Sequence, residues 1–199
     1  MAYYVGDTPA EQIVIEPPET TDLTAFTGVE ATLYAPDGTT EILPATIDAA
    51  AGVILVDPPA VYALPGVYRL RVALTGVGVR QSFPDLRVIV QDPDDGWHTL
   101  DSIRAEWPDA EFIADPLLWK VLEVSKLECL AYAPALVVDA PIPLNYLDAQ
   151  GVQARNRWNA RKVAPDGTTG EGDFVIRPFP LDWHVKAILR PKQGLPVIA

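Results

Sequence analysis

The sequence predicts a multidomain α+β fold, with a small β-sandwich over residues 1–91 followed by a small, mainly helical domain over residues 97–199. Two differences between the halves predict this fold. Short β-branched runs separated by turn signals fill the first half, whereas apolar residues recur at spacings of three and four in the second. Residues 91–96, which are acidic and contain proline and glycine, mark the boundary between the two domains.

Five short runs in the first domain predict strands: residues 13–15, 29–34, 53–56, 67–74 and 86–90. In the second run Val29, Ala31 and Leu33 point to one face of a sheet, because successive side chains of a strand alternate. Turn signals such as Pro36-Asp37-Gly38 separate the runs, and short strands at this spacing are typical of a sandwich. Residues 65–70 resemble the late hairpin of an immunoglobulin-like module, so we expect the sandwich to be immunoglobulin-like.

Four helices are predicted beyond the boundary, over about residues 99–107, 115–132, 143–163 and 183–190. Asp115 is expected to cap the second helix, because the proline that follows it suits a first helical turn. Asp182 is expected to cap the fourth. A glycine-rich loop over residues 165–173 and a strand-like piece over residues 174–176 separate the last two helices, and residues 192–199 are expected to form an extended arm.

Apolar positions on the second and third helices are predicted to pack between subunits. The second helix carries apolar side chains on most of its sides, which is typical of a helix that is buried on most faces. Because the domain is small, we expect another copy of the chain to supply part of that burial. In the third helix the small residues Gly151 and Ala154 suit the close approach of a neighbouring helix. The residues predicted for inter-subunit packing are Leu118, Trp119, Leu122, Gly151, Ala154 and Trp158.

The chain is acidic, with 27 acidic against 15 basic residues and a formal net charge of −12. It is not expected to wrap nucleic acid, because phosphate binding depends on neutralising charge with lysine and arginine. It could still form a wall past which nucleic acid slides. Residues 150–199 reverse the balance, with eight basic against four acidic residues. This basic end indicates either a charge-complementary partner, such as another copy of the chain, or a charge balance within one fold.

No catalytic, cofactor or metal site is predicted. The two histidines, His98 and His184, each follow a tryptophan, and we expect both to be packed or capping residues. Together with the single cysteine they lack the spacing of zinc ligands. A set drawn from Ser125, His184 and an aspartate has no nucleophile-elbow sequence to support it. The glycine-rich loop lacks the Gly-Lys-Ser/Thr of a phosphate-binding loop and contains Glu171.

The single cysteine, Cys129, excludes an intramolecular disulfide. Its apolar neighbours Leu127 and Leu130 predict an inert thiol in the core. The first residues lack the basic region and apolar core of a signal peptide, and no apolar run reaches the roughly 18 residues that span a bilayer. We therefore expect a soluble protein that is made in a cytoplasm and does not bind a membrane.

Three segments of the second domain resemble head-to-tail connector proteins of tailed phages (siphoviruses) that infect actinobacteria. They are residues 130–146, which contain LAYAPAL and PLNY, residues 153–160 (QARNRWNA), and residues 174–191 (FVIRPFPLDWHVKAILRP). The resemblance extends over residues 97–199. It implies a structural virion protein rather than an enzyme, in which a helical adaptor domain forms a dodecameric ring in the neck, below the portal. DNA would pass through the ring without specific binding, stopper or tail proteins would dock below it, and assembly would take place in the host cytoplasm.

The same resemblance implies where the ring meets the portal protein. In these adaptors the C-terminal segment reaches toward the portal, a role that would fall on residues 183–199. The residues expected at this interface are Trp183, His184, Lys186, Ile188, Leu189, Arg190 and Lys192. These adaptors usually lack a large N-terminal β domain. The first domain resembles an immunoglobulin-like decoration module of phage structural proteins, and it could contact the capsid, an adjacent neck protein or solvent.

Two other functions are compatible with the sequence. The chain could be a tail or baseplate binding module whose β domain recognises a host surface. That function requires an aromatic patch on the β domain, for which Tyr62 and Tyr68 are the candidates. The chain could also be a hydrolase with a site that the sequence does not reveal.

Overall fold

The computed structural model describes residues 2–137, 140–161 and 181–191. The chain divides into two compact units, Met1–Asp92 and Pro93–Ala199. The described residues form an α+β structure with nine strands in two sheets and four α-helices. Among these residues no helix has the length and apolar character that crossing a membrane requires.

The first unit contains the strands β1 (Ala2–Tyr4), β2 (Ile13–Ile15), β3 (Gly28–Tyr34), β4 (Thr40–Leu43), β5 (Ala45–Asp48), β6 (Val53–Val56), β7 (Gly66–Gly76), β8 (Val79–Ser82) and β9 (Leu86–Gln91). Five of them form a path β1-β9-β7-β3-β4 in a six-stranded sheet, and β8 pairs with β7. The remaining three form a sheet in the order β2-β6-β5. β1 runs parallel to β9, and the other pairs are antiparallel.

One hydrophobic core receives side chains from both sheets. Leu33 of β3 and Leu70 of β7 lie opposite each other in the larger sheet, and both are buried in this core. Ile54 of β6 is buried in the same core from the smaller sheet. Between the buried residues of β7, Arg69 and Arg71 are exposed. This alternation follows from the pleat of a strand and gives the larger sheet one apolar and one polar face over these residues.

The aromatic side chains proposed for host recognition lie in this core. Tyr62 has no exposed surface and Tyr68 is 5% exposed. Tyr62 stacks on Tyr3 at 4.9 Å between ring centroids and meets the edge of Tyr68 at 5.2 Å. Burial raises the pKa of the Tyr62 phenol. Because neither ring is available to a partner, Tyr62 and Tyr68 do not form the aromatic patch that a surface-recognition module requires.

The five strands that the sequence predicts are β2, β3, β6, β7 and β9, each within two residues of its predicted bounds. The prediction omits β1, β4, β5 and β8, which have three or four residues each. The predicted strands β2 and β6 are equally short, but they consist only of aliphatic residues. Each omitted strand contains polar or aromatic residues, so its sequence carries a weaker signal.

The second unit contains the helices α1 (Leu100–Glu106), α2 (Asp115–Tyr132), α3 (Leu144–Ala160) and α4 (Trp183–Leu189). A 3-10 segment, Pro108–Phe112, connects α1 to α2. Thr99 and Ser102 form a capping box at the start of α1, in which each side-chain oxygen accepts a hydrogen bond from the backbone N–H of the other residue.

Two predicted details of these helices are corrected by the structure. Ala114, not Asp115, is the N-cap of α2. Asp115 instead lies in the first turn, where its carboxylate accepts a hydrogen bond from Arg104 Nη2 at 2.8 Å. Asp182 occupies the N-cap position of α4 but makes no capping hydrogen bond through its side chain. The end of the predicted third helix at residue 163, the loop over 165–173, the strand over 174–176 and the arm over 192–199 lie outside the described residues.

The core of the first unit yields a stability prediction. Leu74 of β7 has no exposed surface, so truncating it in Leu74→Ala leaves a cavity and should lower the free energy of unfolding by about 3 kcal/mol. Val77 is 94% exposed, so Val77→Ala should change that free energy by less than about 0.5 kcal/mol. Urea unfolding followed by circular dichroism measures both. Equal effects of the two substitutions would contradict the burial described for β7.

Candidate interaction surface of the helical unit

One side of α2 is the surface on which the helical unit is assembled. Its buried residues recur at spacings of three and four and therefore share one face: Leu118, Val121, Leu122, Ser125 and Cys129. The helices α1, α3 and α4 all contact α2. On its outer side Leu127 is 63% exposed and Leu130 is 37% exposed. The expectation that α2 is buried on most faces includes a contribution from another copy of the chain, so it stays a prediction; the single chain leaves these two leucines at the surface.

A buried amide fixes α3 against its neighbours. Gln150 has no exposed surface, and its Nε2 donates to the backbone oxygen of Leu122 at 3.3 Å. Its Oε1 accepts from the backbone N–H of His98 at 3.1 Å. Nearby on α3, Gln153 Nε2 donates to Glu128 Oε2 at 2.7 Å. Because a buried polar group is costly without a partner, these bonds specify how α3 sits on α2.

The small residue Gly151 lies against side chains of its own unit. A Cβ atom at this position would lie 3.4 Å from Ile103 Cδ1 and 3.6 Å from His98 Nε2. Both are ordinary van der Waals distances, so a methyl group would fit here in contact with these two side chains. The close approach that the sequence predicts here is made by residues of the same chain.

The short helix α4 is anchored by one apolar face. Val185 has no exposed surface and Leu189 is 2% exposed. Both belong to a hydrophobic cluster that also contains Cys129 of α2 and Tyr146 of α3. These contacts immobilise the helix and leave its other face at the surface.

The exposed side of α4 presents a tryptophan beside basic side chains. Trp183 is 77% exposed, and its ring meets the ring of His184 edge-on at 5.8 Å. Lys186 Nζ and Arg190 Cζ lie 5.6 Å and 4.7 Å from the centroid of the Tyr132 ring. In the described part of the chain neither cation has a carboxylate partner. We call Trp183, His184, Lys186 and Arg190 the outer face of α4.

The structure separates the seven residues predicted at the portal interface into three groups. Trp183, His184, Lys186 and Arg190 are exposed and share the outer face of α4. Ile188 is half-buried, and Leu189 belongs to the core of the unit, so Leu189 is corrected from an interface residue to an anchoring residue. Lys192 lies outside the described residues. His184 is also corrected from a packed or capping residue, because its side chain is exposed.

The residues predicted to pack between subunits divide in a similar way. Leu118, Leu122, Gly151 and Ala154 are buried within their own chain, so their side chains offer no surface to a neighbour. Trp119 and Trp158 are half-buried. The exposed apolar residues of α2 are instead Leu127 and Leu130, which the sequence reasoning missed. The helical phase could have found Leu127, because it lies opposite the stripe that contains Leu118, Leu122 and Cys129, whereas Leu130 lies to the side of that stripe.

The residues considered for catalysis have structural partners. Ser125 is buried, and its Oγ donates to the backbone oxygen of Val121 at 2.8 Å. His98 Nδ1 lies 3.1 Å from Ser102 Oγ, but that hydroxyl donates to the backbone oxygen of Thr99 and belongs to the capping box. His98 itself is 8% exposed, as expected for a packed residue. Within the described residues there is no group of three or more His, Cys, Asp or Glu side chains that could hold a metal ion.

Comparison with models of known protein families finds no match for this chain, and comparison with curated proteins finds no match either.

The buried thiol of Cys129 yields a reactivity prediction. Cys129 has no exposed surface, and burial together with the nearby Glu128 raises its pKa to about 12. Since the thiolate is the reactive form, Cys129 should not react with a disulfide reagent near neutral pH while the chain is folded. It should react fully once denaturant is added. Rapid labelling in native buffer, followed by absorbance of the released chromophore, would contradict this burial.

The two faces of α4 yield a second prediction. Val185→Ala removes two buried methyl groups and should lower the free energy of unfolding by about 2 kcal/mol. Trp183→Ala should change it by less than about 0.5 kcal/mol, because the ring lies in solvent. Urea unfolding followed by tryptophan fluorescence measures both, since Trp97 lies in the cluster that holds Val185. A large loss of stability in Trp183→Ala would place that ring in the core.

Proposed function

We propose that this chain is a structural virion protein, a head-to-tail connector that forms a ring below the portal of a tailed phage. The observation that carries the proposal is the outer face of α4. An exposed tryptophan beside cations that have no carboxylate partner among the described residues is the composition of a protein-binding site, because tryptophan and arginine dominate binding energy at interfaces. The segment that resembles the portal-facing part of phage connectors contains this same face.

The arrangement of α4 supports a docking role for this segment. Val185 and Leu189 anchor the helix, so Trp183 is presented from a fixed position rather than from a flexible tail. A partner that binds a fixed side chain loses less conformational entropy than one that must first order a loop. In this proposal Trp183 enters a pocket of the portal protein, and Lys186 and Arg190 meet acidic groups at its rim.

The charge of the chain supports the passage of DNA through the proposed ring. A net charge of −12 suppresses binding to phosphates, so DNA would pass without adhering to the wall. In the proposed ring, which we expect to be a dodecamer, the exposed leucines of α2, Leu127 and Leu130, lie against a neighbouring subunit. Stopper or tail proteins dock on the side of the ring away from the portal.

The first unit completes the proposal. We propose that it is an immunoglobulin-like sandwich over residues 1–91, placed before a helical adaptor domain over residues 97–199. The shared core of its two sheets and its mainly antiparallel strands support this architecture. The alternative role in host-surface recognition is not retained, because Tyr62 and Tyr68 are buried.

The outer face of α4 yields a binding prediction. Trp183→Ala should weaken binding to the portal protein of the same phage at least about tenfold, because a central tryptophan supplies a large share of interface energy. Leu144→Ala serves as the matched control, since Leu144 is 84% exposed but lies at the start of α3. Binding is measured by biolayer interferometry with immobilised portal rings. Unchanged affinity in Trp183→Ala would remove α4 from the portal interface.

The ring itself is tested by mass. The purified chain is measured alone and mixed with the portal protein by native mass spectrometry and by electron microscopy of virions. We expect a ring of this chain on the portal, whatever the state of the chain alone, since the portal can act as the template for assembly. The proposed function would be contradicted if the chain did not bind the portal protein and formed no ring in virions.

A further inference from the structure

The polar face of the six-stranded sheet gathers most of the positive charge of an acidic unit. Residues 1–92 contain four basic and twelve acidic residues, and all four basic residues are arginines. The strand register places all four on one side of the sheet. Arg69 lies opposite Arg87 of β9 and opposite Tyr34 of β3, and Arg71 lies opposite Thr32 of β3. Arg80 of β8 lies further along, opposite Thr75 of β7, and is paired with Glu30. We call the outward side chains around the first three arginines, Thr32, Tyr34, Ile42, Arg69, Arg71 and Arg87, the arginine face.

The arginine face is ordered by its own contacts. The guanidinium carbons of Arg69 and Arg71 each lie 5.2 Å from the centroid of the Tyr34 ring. Asp85 accepts hydrogen bonds from Arg71 at 3.1 Å and 3.3 Å, and these bonds lower the pKa of its carboxyl group. Arg87 is exposed and has no charged partner among the described residues. With three arginines against one aspartate, the face keeps a net positive charge and stacked, oriented guanidinium groups.

An exposed apolar side chain borders this charge. Ile42 of β4 is 83% exposed and lies opposite Thr32, in the same row across the sheet as Arg71. β4 is an edge strand, so no further strand of the sheet pairs with it on the side away from β3. The arginine face therefore offers a partner both an apolar contact and paired cations. A long polyanion would meet the surrounding negative charge of the unit, whereas a short acidic element would meet the face alone.

The second unit contains an element with the opposite character. Phe112 is 88% exposed at the end of the 3-10 segment Pro108–Phe112. Asp109 and Glu111 precede it in the same segment; both are exposed, and neither has a charged partner among the described residues. We call Asp109, Glu111 and Phe112 the Phe112 turn.

The Phe112 turn is also held in a fixed conformation. Ala110 and Ile113 are buried beneath it. Arg104 donates to the backbone oxygens of Ala110 at 3.4 Å and Ile113 at 3.1 Å, and to the Asp115 carboxylate at 2.8 Å. These contacts present the exposed phenylalanine and its two acidic neighbours as one rigid element.

We propose that the arginine face of one copy of this chain binds the Phe112 turn of a neighbouring copy. Phe112 packs against Ile42, and the carboxylates of Asp109 and Glu111 meet the guanidinium groups of the face. The two surfaces are complementary in charge and each has an exposed apolar centre. The proposed contact is head-to-tail: each copy uses its arginine face on one neighbour and its Phe112 turn on another, so that the contact continues from copy to copy. The inference rests on the proposed function in that a ring is what closes such a series.

A cross-linking experiment on the full-length chain tests this contact without the portal. An Ile42→Cys variant is mixed with a Phe112→Cys variant, and the mixed disulfide dimer is measured by mass spectrometry after mild oxidation. The native thiol does not compete, because Cys129 is buried. The control mixes Phe112→Cys with Val77→Cys, whose position is 94% exposed and lies outside the arginine face.

The contact predicts at least about fivefold more mixed dimer from Ile42→Cys than from Val77→Cys, an excess that about 0.5 M NaCl removes by screening the charges. Equal yields from the two mixtures would overturn the proposal. Equal sensitivity of both mixtures to salt would overturn the electrostatic part of it.

Charge reversal provides the second arm. Arg87→Glu in the Ile42→Cys chain should reduce the mixed dimer to the control level, and Glu111→Arg in the other chain should restore it. Arg80→Glu makes the same change of charge further along the same side of the sheet, where Arg80 pairs with Glu30 at 2.8 Å and lies outside the arginine face, and it should leave the yield unchanged. A loss of yield in Arg80→Glu as large as that in Arg87→Glu would overturn the assignment to the arginine face.

The outcome is separable from the proposed function. If the chain cross-links selectively but does not bind the portal protein, this contact is retained and the connector role is rejected. Portal-bound rings from a chain without selective cross-linking would retain the connector role and reject this contact.

Discussion

The buried stripe of α2 is the constraint on which the helical unit depends. α1, α3 and α4 all contact this helix, and the buried residues Leu118, Leu122 and Cys129 lie on one side of it. A seven-residue helix such as α4 is too short to be stable alone, so its conformation derives from the cluster that Val185 and Leu189 share with Cys129. The packing of the buried face of α4 therefore determines where the exposed side chains of this helix lie.

The same local arrangement recurs at the exposed sites of both units. Arg69 and Arg71 lie over the Tyr34 ring in the β unit, and Lys186 and Arg190 lie over the Tyr132 ring in the helical unit. A long basic side chain that rests on a ring has fewer conformations to lose when a partner binds, while its charge remains available. Each site is in this sense prepared for an acidic partner before the partner arrives. Both proposed contacts depend on basic side chains that are already held over a tyrosine ring: the contact with the portal and the contact between neighbouring subunits.

The sequence predicts the elements of this fold better than its surfaces. Hydrophobic period and turn residues are local signals, and they locate the five strands with aliphatic or alternating patterns and all four helices. The arginine face is not a local signal, because Tyr34, Arg69 and Arg87 come together only through the register of three strands. The exposed leucines of α2 are likewise not a local signal. The composition of α2 is apolar on many sides, and only the packing of the other helices shows that Leu127 and Leu130 remain outside. The resemblance to phage connectors implies an interface role for Leu189, but a sequence does not show which face of a short helix is anchored, and Leu189 packs in the core.

A head-to-tail contact can produce uncontrolled polymers, so its affinity has to be low between free chains. Different surfaces on one chain can propagate into open filaments as readily as they close into a ring. Exposed ion pairs are individually weak and are screened by salt, and a chain of net charge −12 repels its own copies. Contacts of this strength would leave free chains dispersed. On a portal that holds each chain through α4, neighbouring copies are at high effective concentration, and the same weak contacts become sufficient. The proposed division of labour follows from this difference, with an aromatic anchor binding the portal and a charged face joining the subunits.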